Sequence, residues 1–449
     1  MEAAADPRLE DLIREIGRDL HSALPSRSRH PMRALDDKAM ELASRDAELR
    51  AALFRLVDVT PACRSLDDLA RHLAGYLDQV DERHQPVDAA MRAARTAAGR
   101  RALGAAAATG VRHMAHRFIV GDSPEAALGV LRRLWDAGAA SSVDLLGEAT
   151  VTQSEADRYA TRCCEALEAL AAIAPSWPAS PVLESDSIGP LPRVNLSVKV
   201  SALTPLMRPE APEVGREDAA RRMRPLLRRA KELGAHLHID MESLDALETT
   251  LELVGELLDE DEFHDGPSAG VVLQAYLRES PEQLDRLLAW ARASRREPPL
   301  TVRLVKGAYW DHEVVEARRH GWSSPVFELK ADSDRNFEQL TRLLLDARPT
   351  VRVAVASHNL RSVAHAVAYN RITGGKDRDL ELQVLRGLGD DLQHALAAHG
   401  LRVRAYCPVG DLVAGMAYLV RRLLENTSND SFLGEVGRGT SIEQLLDAP

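Results

Sequence analysis

The feature that most constrains the fold is a regular alternation of short β-rich runs and helical patterns, which begins near residue 125. Apolar residues recur at helical spacing between the β-rich runs. The predicted strands are Ser142–Leu146, Arg193–Val200, Ala235–Asp240, Gly270–Tyr276, Thr301–Val305, Val351–Ser357, Leu382–Leu385 and Arg402–Tyr406. The predicted helices between them include Arg216–Leu233, Leu244–Leu258, Pro281–Ser294, Asp334–Leu345 and Ser362–Ala368.

This alternation predicts an α/β fold. Eight strands that alternate with helices over about 320 residues match a (β/α)8 barrel of the TIM type. An open doubly wound sheet is the competing architecture, but no Gly-x-Gly-x-x-Gly follows any early strand. Because that fingerprint is typical of the dinucleotide-binding members of the competing fold, the barrel is favoured.

The first part of the chain has a different character. Residues 1 to about 120 are rich in Ala, Leu, Arg, Asp and Glu and poor in Val and Ile. Asp37–Val57 and Ser65–Val80 show helical apolar spacing, which predicts an all-helical region. The expected organisation is a helical region at 1–120 that serves as an arm or cover, a barrel at 121–440 and a C-terminal tail at 441–449.

Charge and composition exclude several classes of function. The net charge is −11, and basic residues are interspersed with acidic ones, which argues against nucleic-acid binding. The four cysteines (Cys63, Cys163, Cys164 and Cys407) form no metal-ligand spacing and are interpreted as reduced thiols. No apolar run approaches the roughly 20 residues of a membrane span, and no signal peptide is visible. We expect a cytoplasmic protein; peripheral contact with a membrane and a homo-oligomer remain open.

The predicted strands carry an unusual polar face. From Val194 to Ser201 apolar side chains alternate strictly with polar ones, and the polar set includes Asn195, Ser197 and Lys199. The outer face of a barrel must pack on helices, so the polar face is expected to point inward, where it needs partners or a ligand. Other strands share this pattern, with Arg402, Arg404 and Tyr406 on one face and His236, His238 and Asp240 on another.

Polar residues also collect where the predicted strands end, and barrel enzymes carry their active sites at that end. They are Asp144, Glu148, Lys199, Asp240, Glu242, Gln274, Tyr276, Arg303, Lys306, Ser357, His358, Asn359 and Tyr406. Singly, each is also consistent with local hydrogen bonding, and Ser357 and Asn359 are candidate helix caps. No metal site is expected, because His236 and His238 lie low on their strand without converging ligands. Balanced charges favour a zwitterionic ligand or an anionic cofactor.

A helical pattern near the C-terminus, residues 418–426, places Tyr418, Arg421, Arg422 and Glu425 on nearly one face. Two guanidiniums beside a phenol and a carboxylate are suited to clamp a carboxylate ligand, because Arg binds carboxylates in a planar, two-pronged geometry. An exposed amphipathic face, with an Arg421–Glu425 pair contributing a few tenths of a kcal/mol, is the alternative.

Together these segments resemble the proline dehydrogenase family, in particular the proline dehydrogenase part of proline utilisation A. The matching pieces follow the family's order over about residues 115–435. The two most specific are Arg303-Leu304-Val305-Lys306-Gly307-Ala308-Tyr309 and Tyr418-Leu419-Val420-Arg421-Arg422-Leu423-Leu424-Glu425-Asn426. Others are Asp144-Leu145-Leu146-Gly147-Glu148-Ala149, Asp240-Met241-Glu242, Ala356-Ser357-His358-Asn359 and Tyr406-Cys407-Pro408-Val409-Gly410.

The resemblance implies a distorted (β/α)8 barrel that binds FAD. It implies oxidation of L-proline to Δ1-pyrroline-5-carboxylate by hydride transfer from the ring carbon next to nitrogen to flavin N5. Electrons would pass to a membrane quinone, and the reaction would be the first step of proline catabolism to glutamate.

The resemblance also implies residue roles. Asp240 and Arg303 match residues near the reacting edge of the flavin, and Glu148 matches the acidic residue that pairs with Arg421 over the substrate. The implied substrate-binding set is Asp144, Glu148, Lys199, Tyr309, Tyr406, Tyr418, Arg421 and Arg422. The implied cofactor-binding set is Asp240, Met241, Gln274, Arg303, Lys306, Gly307, Ala308, Trp310, Ser333, Ser357, His358, Asn359, Glu425 and Phe432.

Two departures from the family pattern stand near these sites. Gly387-Leu388-Gly389 replaces the family's Gly-Met-Gly/Ala segment, and Ser333 stands where many members have Thr.

Bifunctional relatives continue into an aldehyde dehydrogenase domain, so a monofunctional enzyme and a fragment of a longer chain both stay open. A flavoenzyme for a related imino acid such as hydroxyproline is the functional alternative, although Tyr418 favours proline. A non-enzymatic barrel is disfavoured because the charged residues are retained.

Overall fold

The structure is a closed barrel of eight parallel strands, as the alternating pattern predicts. The computed structural model describes residues 7–25, 47–81, 88–89, 91–92, 94–147, 150–242, 244–411, 415, 418 and 440–449. Each strand pairs with the next in chain order, and the eighth pairs with the first. The strands are β1 Ala139–Leu145, β2 Asn195–Lys199, β3 His236–Asp240, β4 Ser268–Gln274, β5 Leu300–Val305, β6 Val351–Ala356, β7 Leu380–Leu385 and β8 Arg402–Val409.

Helices precede the barrel and connect its strands. Before β1 lie α1 Pro7–Ser22, α2 Ala47–Val59, α3 Leu66–Leu77, α4 Ala97–Phe118 and α5 Pro124–Asp136. After β1 in chain order come α6 Gln153–Ile173, α7 Pro181–Glu184, α8 Pro212–Glu232, α9 Leu244–Leu258, α10 Ser280–Ala293, α11 Trp310–His320, α12 Lys330–Asp346, α13 Leu360–Ile372, α14 Asp390–Ala398 and α15 Ile442–Leu445. The helix predicted at Leu244–Leu258 has the predicted ends.

The apolar core lies outside the barrel wall, between the strands and the helices. On β2, Leu196 and Val198 are fully buried in this outer core. The alternating residues Asn195 and Ser197 instead hydrogen-bond inside the barrel with Ser142 of β1, at 2.7 Å and 3.1 Å. The prediction of an inward polar face is therefore confirmed for this strand, because the pleat sends successive side chains to opposite faces.

The helices before residue 120 pack against the barrel in two places. Helix α1 buries Ile13 and Leu20 in the main core, and its Glu10 accepts hydrogen bonds from Arg361 of α13 at 2.8 Å and 2.9 Å. Helices α2, α3 and α4 form a second apolar cluster that includes Leu146 and Leu388, which follow β1 and β7. This second cluster covers part of the end of the barrel where the strands finish.

Helices α3 and α4 approach each other closely at Gly104. A Cβ atom built on Gly104 would lie 1.9 Å from the carbonyl oxygen of Leu66, so no larger residue fits at this contact. Within the part of the chain that the structure describes, no helix combines the length and the hydropathy that a membrane span requires.

Candidate active site

A three-residue cluster of Asp240, Arg303 and Tyr406 lies inside the barrel near the ends of β3, β5 and β8. Arg303 Nη1 donates to Asp240 Oδ1 at 2.6 Å, and the Tyr406 hydroxyl donates to Asp240 Oδ2 at 2.6 Å. The Arg303 guanidinium also lies over the Tyr406 ring, 5.5 Å from its centroid. Because both carboxylate oxygens of Asp240 are engaged, the carboxylate fixes the guanidinium and the phenol relative to each other.

Lys199 extends this cluster toward β1. Its ammonium group donates to Asp144 Oδ1 and lies 3.9 Å from Asp240 Oδ2. Burial by itself would lower the pKa of Lys199, but the carboxylates of Asp144 and Asp240 outweigh it and raise that pKa above its ordinary value. Lys199 is therefore a cation at neutral pH, and 18% of its side chain remains exposed at the barrel mouth.

The Tyr406 hydroxyl stays protonated in this setting. Burial raises the pKa of Tyr406 well above its ordinary value, and the charges of Asp144 and Asp240 raise it further. A phenol next to two carboxylates can only serve as a hydrogen-bond donor to them. The site therefore holds two cations, two carboxylates and one neutral donor within a few ångströms of one another.

Arg303 is held from below by residues that the sequence reasoning did not single out. Its Nε atom donates to Gln383 Oε1 at 2.7 Å, and Nη2 donates to Ser142 Oγ at 3.2 Å. Both side chains lie inside the barrel, on β7 and β1. The signal that could have found Gln383 is the alternation in β7, which places Glu381 and Gln383 on one face.

The barrel floor is a layer of buried ion pairs. Glu381 accepts from Arg404 at 2.8 Å and 3.0 Å, and Arg352 Nε donates to Asp186 at 2.8 Å. His236 Nε2 and His238 Nδ1 lie 3.1 Å apart in the same layer. Burial lowers the pKa of His236 to about 3, and nearby Arg404 contributes in the same direction.

One group with metal-ligand chemistry lies elsewhere. Cys63 just before α3, and Asp68 and His72 within it, place ligand atoms within 4.8 Å of one another. The carboxylate of Asp68 already accepts from Arg71 Nη2 at 3.4 Å and from the backbone N–H of Arg64 at 3.2 Å. Because a guanidinium partly neutralises this carboxylate, we assign the group no function.

The ends of β4 and β5 offer groups suited to a large anionic cofactor. Gln274 is buried, and its Nε2 donates to the carbonyl oxygen of Glu242 at 3.2 Å. Its Oε1 is buried and has no hydrogen-bond partner among the described residues, so an acceptor is left for a ligand donor. Met241 lies buried in the adjacent apolar cluster.

The loop after β5 brings its backbone unusually close to a neighbouring ring. Gly307 has φ +133°, and a Cβ atom there would lie 2.3 Å from the ring of Tyr276, so only glycine fits.

Next to this glycine, Lys306 pairs with Asp334 of α12, which follows the buried Ser333. Burial lowers the pKa of Lys306, although the charge of Asp334 opposes this. Gly307, Ala308 and Trp310 are exposed at this edge. An orphaned acceptor, a glycine-only backbone and a lysine fit the FAD that the resemblance implies.

The three residues after β6 make local hydrogen bonds. Asn359 caps α13 by accepting from the N–H of Ser362 at 2.9 Å, and Ser357 Oγ accepts from the N–H of Asn359 at 3.1 Å. His358 Nε2 accepts from the N–H of Leu385 at 2.8 Å. Asn359 is therefore a helix cap, whereas Ser357 makes a local hydrogen bond to the cap residue and does not cap the helix. A contact of these residues with a cofactor remains a prediction.

The remaining predicted site residues divide into two groups. Tyr309 is half-buried at the start of α11, and Tyr418 is buried in the apolar cluster that contains Leu146 and Leu388. The predicted helix 418–426 is not tested beyond Tyr418. Glu148, Arg421, Arg422, Glu425 and Phe432 lie outside the described residues.

Along most of its length the chain is similar to proline dehydrogenases and to proline utilization A proteins. The family profile described as Proline dehydrogenase matches residues 127–435, and the profile described as Proline utilization A N-terminal domain matches residues 10–118. The bifunctional protein PutA of Salmonella typhimurium is 31% identical over 350 residues, covering 76% of this chain and 25% of that protein. The proline dehydrogenase of Deinococcus radiodurans is 30% identical over 326 residues, covering 72% of this chain and 89% of that protein.

A solved structure shows the same likeness in three dimensions. It is proline utilization A from Bdellovibrio bacteriovorus, inactivated by N-propargylglycine, with a TM-score of 0.89 and 36% sequence identity. The match covers 98% of this chain and 44% of that chain. This chain therefore spans less than half the length of that protein and a quarter of the length of the bifunctional relative from Salmonella.

Proposed function

The chain belongs to the proline dehydrogenase family, and on that premise we propose that it oxidises L-proline to Δ1-pyrroline-5-carboxylate with bound FAD. The observation that carries this proposal is the convergence of Asp144, Lys199, Asp240, Arg303 and Tyr406 at the barrel mouth. These side chains come from five strands that meet only in the folded barrel, at the end where barrel enzymes carry their active sites.

Charge at this mouth suits a zwitterionic substrate. The Lys199 ammonium is held as a cation by two carboxylates and keeps an exposed surface, so it can attract a substrate carboxylate. By resemblance, Arg421 and Arg422 would clamp the same carboxylate, and Glu148 would close over it by pairing with Arg421. The phenol rings of Tyr309, Tyr406 and Tyr418 would supply the walls around the proline ring.

Asp240 and Arg303 would act at the reacting centre. Arg303 is 4% exposed and is hydrogen-bonded on all three of its nitrogens, so its charge is held in one orientation. A fixed cation stabilises developing negative charge without reorganising during the reaction. When bound, FAD would supply the two-electron oxidant for the carbon–nitrogen bond of proline.

The edge formed by β4, β5, β6 and α12 would hold the cofactor. Lys306 and the backbone at Gly307 are suited to a pyrophosphate, because a cation and backbone N–H groups both bind phosphate oxygens. Gln274 offers a buried acceptor, and Trp310 an aromatic face. By resemblance the contacts would also include Met241, Ala308, Ser333, Ser357, His358, Asn359, Glu425 and Phe432.

We further propose a membrane quinone as the electron acceptor, reached by peripheral contact from the cytoplasm, with assembly into a homo-oligomer still open. The helices before residue 120 would serve as a cover, because their apolar cluster encloses Leu146 and Leu388 at the barrel mouth.

Anaerobic reduction tests the proposal directly. The purified protein should be yellow, and L-proline added without oxygen should bleach the flavin absorbance. Hydroxyproline should bleach it far less, because by resemblance the buried Tyr418 would exclude a hydroxylated ring. A colourless protein that cannot be reconstituted with FAD would contradict the proposal, and equal bleaching by both compounds would favour the hydroxyproline alternative.

A further inference from the structure

A chain of buried side chains connects Arg303 to the barrel floor. Gln383 Oε1 accepts from Arg303 Nε at 2.7 Å, and Gln383 Nε2 donates to Glu381 Oε1 at 2.6 Å. Glu381 is held in turn by two hydrogen bonds from Arg404, at 2.8 Å and 3.0 Å. Gln383 is 5% exposed and Glu381 6% exposed, so both side chains are buried.

The hydrogen bonds that link Arg303, Gln383 and Glu381 permit only one orientation of the Gln383 amide. A guanidinium can only donate and an ionised carboxylate can only accept, so a side chain that joins them must accept on one side and donate on the other. The amide of Gln383 does both, and Glu381 determines which way the amide faces. Burial tends to raise the pKa of Glu381, but the Arg404 guanidinium outweighs it and lowers that pKa, so the carboxylate is ionised at neutral pH.

Arg303 depends on this arrangement for its orientation. Its Nη1 binds Asp240 on the side of the barrel mouth, whereas Nε binds Gln383 on the side of the floor. The serine contacts are longer, at 3.2 Å to Ser142 and 3.4 Å to Ser197. Without the amide, the guanidinium can turn about its long side chain while it still pairs with Asp240.

We propose that Gln383, oriented by Glu381, is a positioning residue that sets the angle at which Arg303 presents its charge to the reacting centre. This inference rests on the proposed function of Arg303. Gln383 itself lies one layer below Asp240 and Tyr406 and acts through Arg303.

Gln383→Met is the first test, because methionine has a similar length and cannot hydrogen-bond as an amide does. The matched control is Gln393→Met, which makes the same change at a buried glutamine on α14, outside this chain of side chains. Each variant and the parent protein are compared for FAD content, for the flavin absorbance spectrum, and for kcat and KM with L-proline.

The expected result for Gln383→Met is retained FAD, a shifted flavin spectrum and a kcat lowered about 10- to 100-fold, the range for losing a hydrogen bond to a charged group. The proline KM should change less than kcat, because Gln383 is remote from the substrate carboxylate. A kcat and a spectrum equal to those of Gln393→Met would overturn the inference. A parent protein that proline does not reduce would instead overturn the proposed function.

Gln383→Glu keeps the inference testable if the methionine variant fails to fold. The introduced carboxyl group, when protonated, would imitate the amide by accepting from Arg303 and donating to Glu381, whereas an ionised one would face a second carboxylate. The charged or titratable groups around it are Glu381 on the same strand, Arg303 on β5, Arg404 on β8, and His236 and His238 on β3. The kcat of this variant relative to the parent should therefore rise as pH falls, and a ratio near one at every pH would contradict the inference.

Discussion

The hydroxyl of Tyr406 and the guanidinium of Arg303 meet on the two oxygens of one carboxylate, that of Asp240, each at 2.6 Å. The three residues come from β8, β5 and β3, so their meeting is a property of the closed barrel. The arrangement lets Asp240 hold a buried cation and a buried neutral donor in one orientation.

Tyr406→Phe removes this donor and leaves one oxygen of Asp240 without its phenol partner. We expect kcat with L-proline to fall by about 10-fold or more, since a hydrogen bond to a charged group contributes roughly 1.5–3 kcal/mol. The control is Tyr369→Phe, which removes a similar tyrosine-to-aspartate bond of 2.9 Å to Asp346 at the surface. Steady-state kinetics of both variants decide the matter, and equal effects would remove any special role for the Tyr406 bond.

Lys199 and Asp144 form a buried pair, so we expect their substitutions to have coupled effects on the free energy of unfolding. Lys199→Met leaves the carboxylate of Asp144, which is 1% exposed, without its close cation. Removing one partner of a buried pair costs about 3–5 kcal/mol, whereas replacing both with apolar residues is often close to neutral.

Lys199→Met should therefore lower the free energy of unfolding, and the double variant Lys199→Met/Asp144→Leu should recover most of it. Both variants should have a raised KM for proline, because both lack the cation. Urea unfolding together with kinetics separates the two effects. If the double variant is no more stable than the single one, the two side chains are not coupled as described.

We expect substitution of Gly307 to reduce FAD binding. Gly307→Ala places a Cβ atom 2.3 Å from the Tyr276 ring at φ +133°, which forces the loop after β5 to move. The expected result is a protein that folds with reduced FAD content. Gly400→Ala is the matched control, because Gly400 also has a positive φ, +70°, but has nothing within 4 Å of the added atom. The ratio of flavin to protein absorbance measures the outcome, and full FAD content in Gly307→Ala would contradict it.

The buried histidines predict how stability changes in acid. The pKa of His236 is lowered to about 3 by burial. Between about pH 6.5 and pH 3, His236 is therefore protonated in the unfolded protein and neutral in the folded protein. Stability from this residue is present above pH 6.5 and is lost as pH falls toward 3, by about 1.4 kcal/mol per pH unit.

His236→Gln should therefore flatten the decline in the free energy of unfolding between about pH 6 and 4, relative to the parent protein. His312→Gln, at an exposed histidine on α11, is the matched control. Urea unfolding at a series of pH values gives both slopes. An identical slope in His236→Gln and the parent would show that this histidine takes up its proton in the folded state.

Much of this protein follows from its sequence alone. The alternation of strands and helices determined the barrel, because parallel strands need helical crossovers and eight of them close a sheet. The strict alternation around Leu196 and Ser197 determined which side chains face inward, because the side-chain period of a strand is two. The same logic brought Asp144, Lys199, Asp240, Arg303 and Tyr406 to one end of the molecule.

The tertiary structure decided which of these charges bind one another. Arg303 and Gln383 are 80 positions apart, and their 2.7 Å contact depends on how β5 and β7 face each other across the barrel interior. Lys306 likewise pairs with Asp334, a contact that no local spacing predicts. The physical reason is that hydrophobic periodicity records only burial, whereas a hydrogen bond requires distances and angles that are set when the barrel closes.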